Sequence, residues 1–222
     1  DFEASAEAAH ELRNTMSSMA AVAGALRFTG NLPAAKLAQL ADSTERQLAV
    51  AKRLTDDLMH AASAQRATPD LALEPVALQS LLREAVELVG NLREERRIDV
   101  LAPPAPIVSH TDRGRLMQVA TNLLRNAIKF TASDGRIWLR LTVEGSTAVV
   151  RVEDNGIGIA ADMLERIFDA FTQVEESTAS TGIGMGLTVA RQTMRMLGGS
   201  IQASSDGRDK GAVFTVRLPV QR

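Results

Sequence analysis

The 222-residue sequence has no cysteine, one tryptophan and only 3% aromatic residues. Without cysteine there is no disulfide, no thiol nucleophile and no thiolate metal site, which fits a reducing compartment. No apolar run approaches the ~20 residues needed to cross a bilayer, and no signal peptide opens the chain. Neither sign of charge dominates. The formal net charge of −2 gives no electrostatic reason to propose a nucleic-acid or membrane surface. The basic cluster from Arg93 to Arg97 contains two glutamates and reads as a solvated helix face. Internal repeats and low-complexity segments are absent. What is present, 45% hydrophobic and 23% charged residues, suffices for one large domain or two small ones with their own cores. The chain opens on Asp1 with helical pattern running by Glu3. It reads as a soluble, cytoplasmic fragment whose upstream part is missing.

Two regions follow different rules. Residues 3 to 66 hold few helix breakers besides Gly24 and the cluster Gly30-Asn31-Leu32-Pro33, which predicts two long helices joined by a turn. Leu12, Met16, Met19, Ala23 and Leu26 form a heptad-like seam in the first helix. Leu37, Leu40, Thr44, Ala51, Leu54, Leu58 and Ala61 continue it in the second. Each helix would be about 40 Å long. A lone hairpin cannot bury both of its apolar faces, so a homodimer forming a four-helix bundle is expected. A monomeric hairpin docked on the second region is the alternative. Residues 67–75 read as a linker.

Beyond the linker, helical pattern covers 78–97, 113–130, 160–169 and 187–197. Strand pattern covers 98–101, 106–109, 136–143, 147–153, 200–205 and 212–218. Helices collected on one face of a mixed sheet make a two-layer α/β sandwich. The fold class expected for residues 1–222 is therefore α+β, with an antiparallel helical hairpin at 1–66 followed by the sandwich at 76–222.

Several residues stand out from this packing pattern. His10 is turned ~200° from the apolar seam and faces solvent. Glu11 follows it, and Asn14 lies one turn on. An exposed neutral imidazole is a competent nucleophile, and a neighbouring carboxylate can hold its ring proton. A His-Glu pair by itself, however, is more often a surface histidine without a role. On the helix at 113–130, Asn122, Asn126 and Lys129 recur on one polar face. Amide oxygens suit Mg²⁺ and a lysine suits phosphate, though an ordinary polar helix face reads equally well.

The strand at 147–153 runs into Asp154-Asn155-Gly156-Ile157-Gly158-Ile159. A carboxylate at a strand end can accept from an adenine amino group, and glycines let the backbone approach a flat base. Asp-Asn-Gly alone is more often a turn. Thr181-Gly182-Ile183-Gly184-Met185-Gly186-Leu187 precedes a helix, an arrangement that offers free N–H groups to phosphate. The spacing is not that of a dinucleotide fingerprint. The stretch between Phe171 and Gly182 reads as a mobile lid.

In this order the segments resemble the histidine kinase family across essentially the whole chain. His10-Glu11-Leu12-Arg13-Asn14 resembles the H-box, Asn122 to Thr131 the N-box, and Asp154 to Ile159 the first glycine box. Phe168-Asp169-Ala170-Phe171 resembles the F-box, Gly182 to Leu187 the second glycine box and Gly211 to Phe214 the third. The resemblance implies a dimerisation and histidine-phosphotransfer domain followed by a gyrase-like ATP-binding domain, with ATP and Mg²⁺ as ligands. It implies His10 as phosphoacceptor, Glu11 as general base and Asn14 as the residue that positions water for a receiver phosphatase. Asn126 would bind Mg²⁺, with Asn122 and Lys129 near the phosphates. Asp154, Gly156 and Gly158 would meet the adenine, and Thr215 would lie behind it. Phe171, Gly182, Gly184, Gly186 and Leu187 would complete the nucleotide site.

The implied partners are a second copy of the chain and the receiver domain of a response regulator. Nucleic acid and direct membrane contact are not expected. Thr15 replaces a frequent H-box proline, Ala170 a frequent F-box proline, and Ala179-Ser180 a usual pair of glycines. Two other functions compete: a gyrase-like ATPase, and a nucleotide-binding pseudokinase scaffold. ATPase relatives tend to carry a water-activating glutamate where Asn122 stands, and a scaffold has no need of His10, Asn126 and Asp154.

Overall fold

The computed structural model describes residues 44, 71–92, 96–170, 172 and 185–220. By proximity of Cα atoms the chain divides into two units, Asp1–Gln65 and Arg66–Arg222. His10, Glu11, Asn14 and, apart from the helical Thr44, the hairpin expected over 3–66 lie outside the described residues. So do Phe171, Gly182 and Gly184.

The second unit is built around one helix, α2 (Arg113–Phe130). Asp112 caps its start by accepting from the Arg115 amide at 3.0 Å, which satisfies one of the helix's unpaired N–H groups. Leu116, Val119, Ala120, Leu123, Leu124, Ala127 and Ile128 recur at helical spacing and are all buried. Each large side chain in that stripe contributes roughly 1.5–3 kcal/mol by leaving water. Two shorter helices flank it, α1 (Leu78–Leu88) and α3 (Gly186–Met196).

Among the described residues seven strands complete the unit. They are β1 (Leu73–Ala77), β2 (Arg97–Leu101), β3 (Val108–Asp112), β4 (Arg136–Glu144), β5 (Thr147–Asp154), β6 (Ser200–Ser204) and β7 (Ala212–Pro219). Strands β1 and β3 pair as a separate antiparallel ribbon, and the other five form a sheet of order β2-β4-β5-β7-β6. Only β2 and β4 run parallel. Strand alternation then sorts the faces. Ile137, Leu139, Leu141, Val152, Phe214, Val216 and Leu218 are buried in one core with the three helices. The reverse face carries Arg140 paired with Glu153, and Glu144 paired with both Arg151 and Arg217. The expected sandwich, helices on one face of a mixed sheet, is what this unit forms. Among the described residues no helix is long and apolar enough to cross a membrane.

Four local expectations need correction. Residues 73–77, read largely as linker, form β1, because β3 supplies a partner and Pro75 sits in a two-stranded ribbon that tolerates its missing donor. The helix expected to reach residue 97 ends at Leu88, followed by a 3₁₀ turn at Gly90–Leu92 where Gly90 and Asn91 break the pattern. At 160–169 there are two 3₁₀ turns, Ala161–Met163 and Arg166–Phe168. The strand expected at 106–109 starts at Val108, past the prolines at 103, 104 and 106.

Candidate nucleotide site

Asp154 is the last residue of β5 and lies opposite Ile137 on one side and Ala212 on the other. It shares the helix-covered face of the sheet with Val152 and Phe214, and it is buried, with 9% of its surface exposed. Its Oδ1 accepts from the Gly156 amide at 2.9 Å. Burial pushes the carboxyl above its ordinary pKa, and hydrogen bonds from the backbone amides of Gly156 and Ala212 pull it back in part. A carboxylate held in an apolar wall with no cation against it among the described residues is a group arranged to meet an external donor.

The glycines after Asp154 leave room that the chain itself fills. A Cβ on Gly156 would lie 2.1 Å from the Phe130 carbonyl oxygen, and one on Gly158, at φ +71°, 2.0 Å from that of Gly207. These close approaches are to α2's last residue and to the loop before β7. Backbone bonds fix the same arrangement, from Ile157 to Phe130 at 3.1 Å and from Gly211 to Gly156 at 3.1 Å.

On α2, Asn122, Asn126 and Lys129 are all half-buried. Asn122 donates from Nδ2 to the carbonyl of Gly186 at 3.3 Å, which joins this helix to the first residue of α3. The Asn126 amide has no hydrogen-bond partner among the described residues. Lys129 Nζ stands 5.0 Å from the Phe130 ring centroid. The first N–H groups of α3, those of Gly186, Leu187 and Thr188, precede its first internal bond, from Val189 to Met185. Leu187 packs against the core, and the buried Thr188 hydroxyl has no partner among the described residues. The structure thus brings Asn122 and Gly186 together and leaves Asn126 available as a hard amide ligand.

Thr215 is a further correction. It pairs with Arg151 and Gln202 and so lies on the helix-free face, opposite to Asp154. The β7 residue beside Asp154 is Ala212. Sequence reading also missed Arg191, which fastens α3 to the F-box. Its guanidinium lies 5.2 Å from the Phe168 ring centroid and donates to the Phe168 carbonyl and to Asp169 Oδ1, both at 3.2 Å. Phe168 in turn meets the Phe214 ring edge-on at 6.4 Å.

Residues 111–222, which contain all of these groups, match the family of histidine kinase-, DNA gyrase B- and HSP90-like ATPases. The chain belongs to that family. Several relatives named sensor histidine kinases align with nearly its whole length. The sensor histidine kinase RppB of Synechocystis sp. is 29% identical over 97% of this chain and 48% of its own. ZraS of Escherichia coli O157:H7 is 35% identical over 96% of this chain and 44% of its own. Among solved structures, full-length ShkA in complex with AMPPNP has a TM-score of 0.72 at 28% identity, covering 98% of this chain and 45% of that one. The chain spans about half the length of these relatives or less.

For this ATPase-family domain, Asp154→Asn separates stability from binding. A carboxyl with a raised folded pKa contributes its stability below the unfolded pKa, and that contribution is lost as pH rises through the folded value. The mutant is therefore expected to melt no lower than the wild type, with a margin that grows as pH climbs through the carboxylate range. Its ADP affinity should fall roughly tenfold to hundredfold, because part of the acceptor becomes a donor facing a donor. Melting curves across pH together with calorimetric titration check both. Unchanged affinity would reduce Asp154 to a turn residue.

Proposed function

We propose that this chain is the catalytic core of a sensor histidine kinase, phosphorylating His10 from ATP and passing the phosphoryl group to an aspartate of a response-regulator receiver. The buried Asp154, with α2's amides and the start of α3 on the same family scaffold, is the observation that carries the nucleotide part. Relatives named sensor histidine kinases, aligned over 96% and 97% of the chain, support the kinase part.

In this reading residues 1–66 dimerise and carry the phosphoacceptor, 76–222 bind nucleotide with β1 as an added edge, and the linker ends before Leu73. The lone pair of a ring nitrogen of His10 attacks the γ-phosphorus. The bond from that phosphorus to the β–γ bridging oxygen breaks, and ADP leaves. Glu11 takes the proton that the other ring nitrogen then releases. In the second step a receiver carboxylate attacks the same phosphorus, the P–N bond breaks, and the proton held by Glu11 returns to the ring to restore the neutral imidazole. Asn14 orients water for hydrolysis of the receiver phosphate.

Asp154 accepts from the adenine amino group, while Lys129 and the α3 amides face phosphate. The unpartnered Asn126 amide, a hard oxygen donor, fits Mg²⁺, which when bound offsets phosphate charge. Asn122 carries no base, and its amide is engaged by Gly186, so water activation at that position is disfavoured. ATP supply sets the reaction in the cytoplasm.

The test is incubation of the purified chain with γ-labelled ATP and Mg²⁺. Acid-labile, base-stable label on the chain is the expected result. Label released only as inorganic phosphate would favour an ATPase, and binding without either would favour a scaffold.

A further inference from the structure

Ser205 follows β6 and lies in none of the motif boxes named above, yet its hydroxyl joins two segments that flank Asp154. Its Oγ accepts from the Ile159 amide at 3.0 Å and from the Gly207 amide at 3.2 Å, and donates to the Gly211 carbonyl at 2.6 Å. The Gly207 carbonyl, also at 3.2 Å, is the weaker alternative for its single proton. A hydroxyl has one donor and two acceptor lone pairs, so these three bonds saturate it. Ile159 ends the first glycine box, while Gly207 and Gly211 bracket the loop into β7. Both segments reach Asp154. The Gly156 amide holds its Oδ1, and Ala212 lies opposite it across β5 and β7. Gly211 rests on its backbone so closely that a Cβ there would lie 1.9 Å from the Asp154 carbonyl oxygen.

We propose that Ser205 is a positioning residue for base recognition: its hydroxyl locks the loop of 155–159 to the loop of 205–211 and thereby aims the Asp154 carboxylate. The proposal rests on the reading of Asp154 as the base acceptor. Ser205 does not itself touch the nucleotide. Without its hydroxyl, two N–H groups and a carbonyl in half-buried surroundings lose their shared partner, and the two loops that hold Asp154 keep only the backbone bonds from Gly211 to Gly156 and from Asp209 to Ile157, at 3.1 and 2.7 Å. The phosphate end of the site, on α2 and α3, has no bond to Ser205.

The test uses the full chain with Ser205→Ala, Ser205→Thr and Asp154→Asn, titrated with ADP, GDP and inorganic tripolyphosphate in the presence of Mg²⁺. For Ser205→Ala we expect ADP affinity to fall about tenfold and preference for ADP over GDP to narrow. Tripolyphosphate affinity should stay within about twofold, and kcat at saturating ATP should be nearly unchanged while KM rises. Ser205→Thr, which keeps the hydroxyl, should restore ADP binding. Should the alanine variant not fold, Ser205→Cys keeps the volume with a weaker donor and should fall between the two.

Equal weakening of ADP and tripolyphosphate would mean a general structural role and overturn the proposal. So would wild-type ADP affinity in Ser205→Ala when Asp154→Asn is impaired, and in that case the reading of Asp154 survives. Wild-type ADP affinity in Asp154→Asn would instead remove that reading and this proposal with it.

Discussion

His10→Gln is expected to reduce acid-labile phosphorylation of the chain to background while leaving ADP affinity within about twofold. Glutamine keeps the side chain polar but its amide nitrogen has no lone pair available for attack on phosphorus, so the covalent step has no nucleophile. The residues proposed to bind ADP, Asn122, Asn126, Lys129, Asp154, Gly186 and Leu187, all belong to the second unit, Arg66–Arg222. Calorimetry with ADP on wild type and mutant, beside labelling with γ-labelled ATP, measures both halves. Histidine occurs elsewhere only at 60 and 110. His110 is exposed on β3, opposite Pro75, and has no acidic residue after it. Label persisting in the mutant on either residue would remove His10 as the phosphoacceptor. Loss of ADP binding alongside label would point to damage beyond the acceptor.

The parts of the fold that were legible in the sequence are those where one periodicity runs without interruption. Helix α2 occupies the 113–130 expected of it, and the structure shows seven buried positions at helical spacing behind an aspartate cap. The β4–β5 hairpin is legible because Glu144-Gly145-Ser146 separates two alternating runs. Strand β1 was not, since its five residues LEPVA include a proline and an acid, and only pairing with a strand that begins 35 positions after it makes them a strand. Thr215 shows the limit most sharply. Strand β7 was placed correctly, but which of its faces meets Asp154 depends on register against β5, and a shift of one residue reverses every side chain. That register puts Ala212 beside Asp154. Arg191 and Ser205 escaped for a related reason. Arg191 meets Asp169 across 22 residues and Ser205 meets Ile159 across 46, and no local pattern announces those two contacts. Asp154, by contrast, was found from its place at the end of an apolar strand before glycines, a local signal with a physical cause.

Replacing Asn126 with alanine is expected to abolish detectable kinase activity while leaving the fold as stable as before or slightly more so. The two effects separate because the side chain is idle in the folded protein. Its amide has no hydrogen-bond partner among the described residues, so truncation breaks no internal bond. Alanine is the better helix former, by roughly half a kcal/mol at a helix interior, and Asn126 lies well inside α2, which runs from Arg113 to Phe130. What alanine removes is the hard oxygen assigned to Mg²⁺, and with it the coupling between metal and nucleotide. That coupling has a readout independent of turnover. In the wild type, ADP should bind more tightly with Mg²⁺ than with a chelator present, and in Asn126→Ala the ratio of the two affinities should fall toward one. Asn126→Asp provides the opposing control. It retains an oxygen ligand but sets a negative charge beside phosphates, so ADP binding with chelator present should weaken below that of the alanine variant. Parallel melting curves guard against misfolding. A wild-type ratio in Asn126→Ala, with wild-type labelling of the chain, would show that the metal is held elsewhere and that this face of α2 only bounds the site.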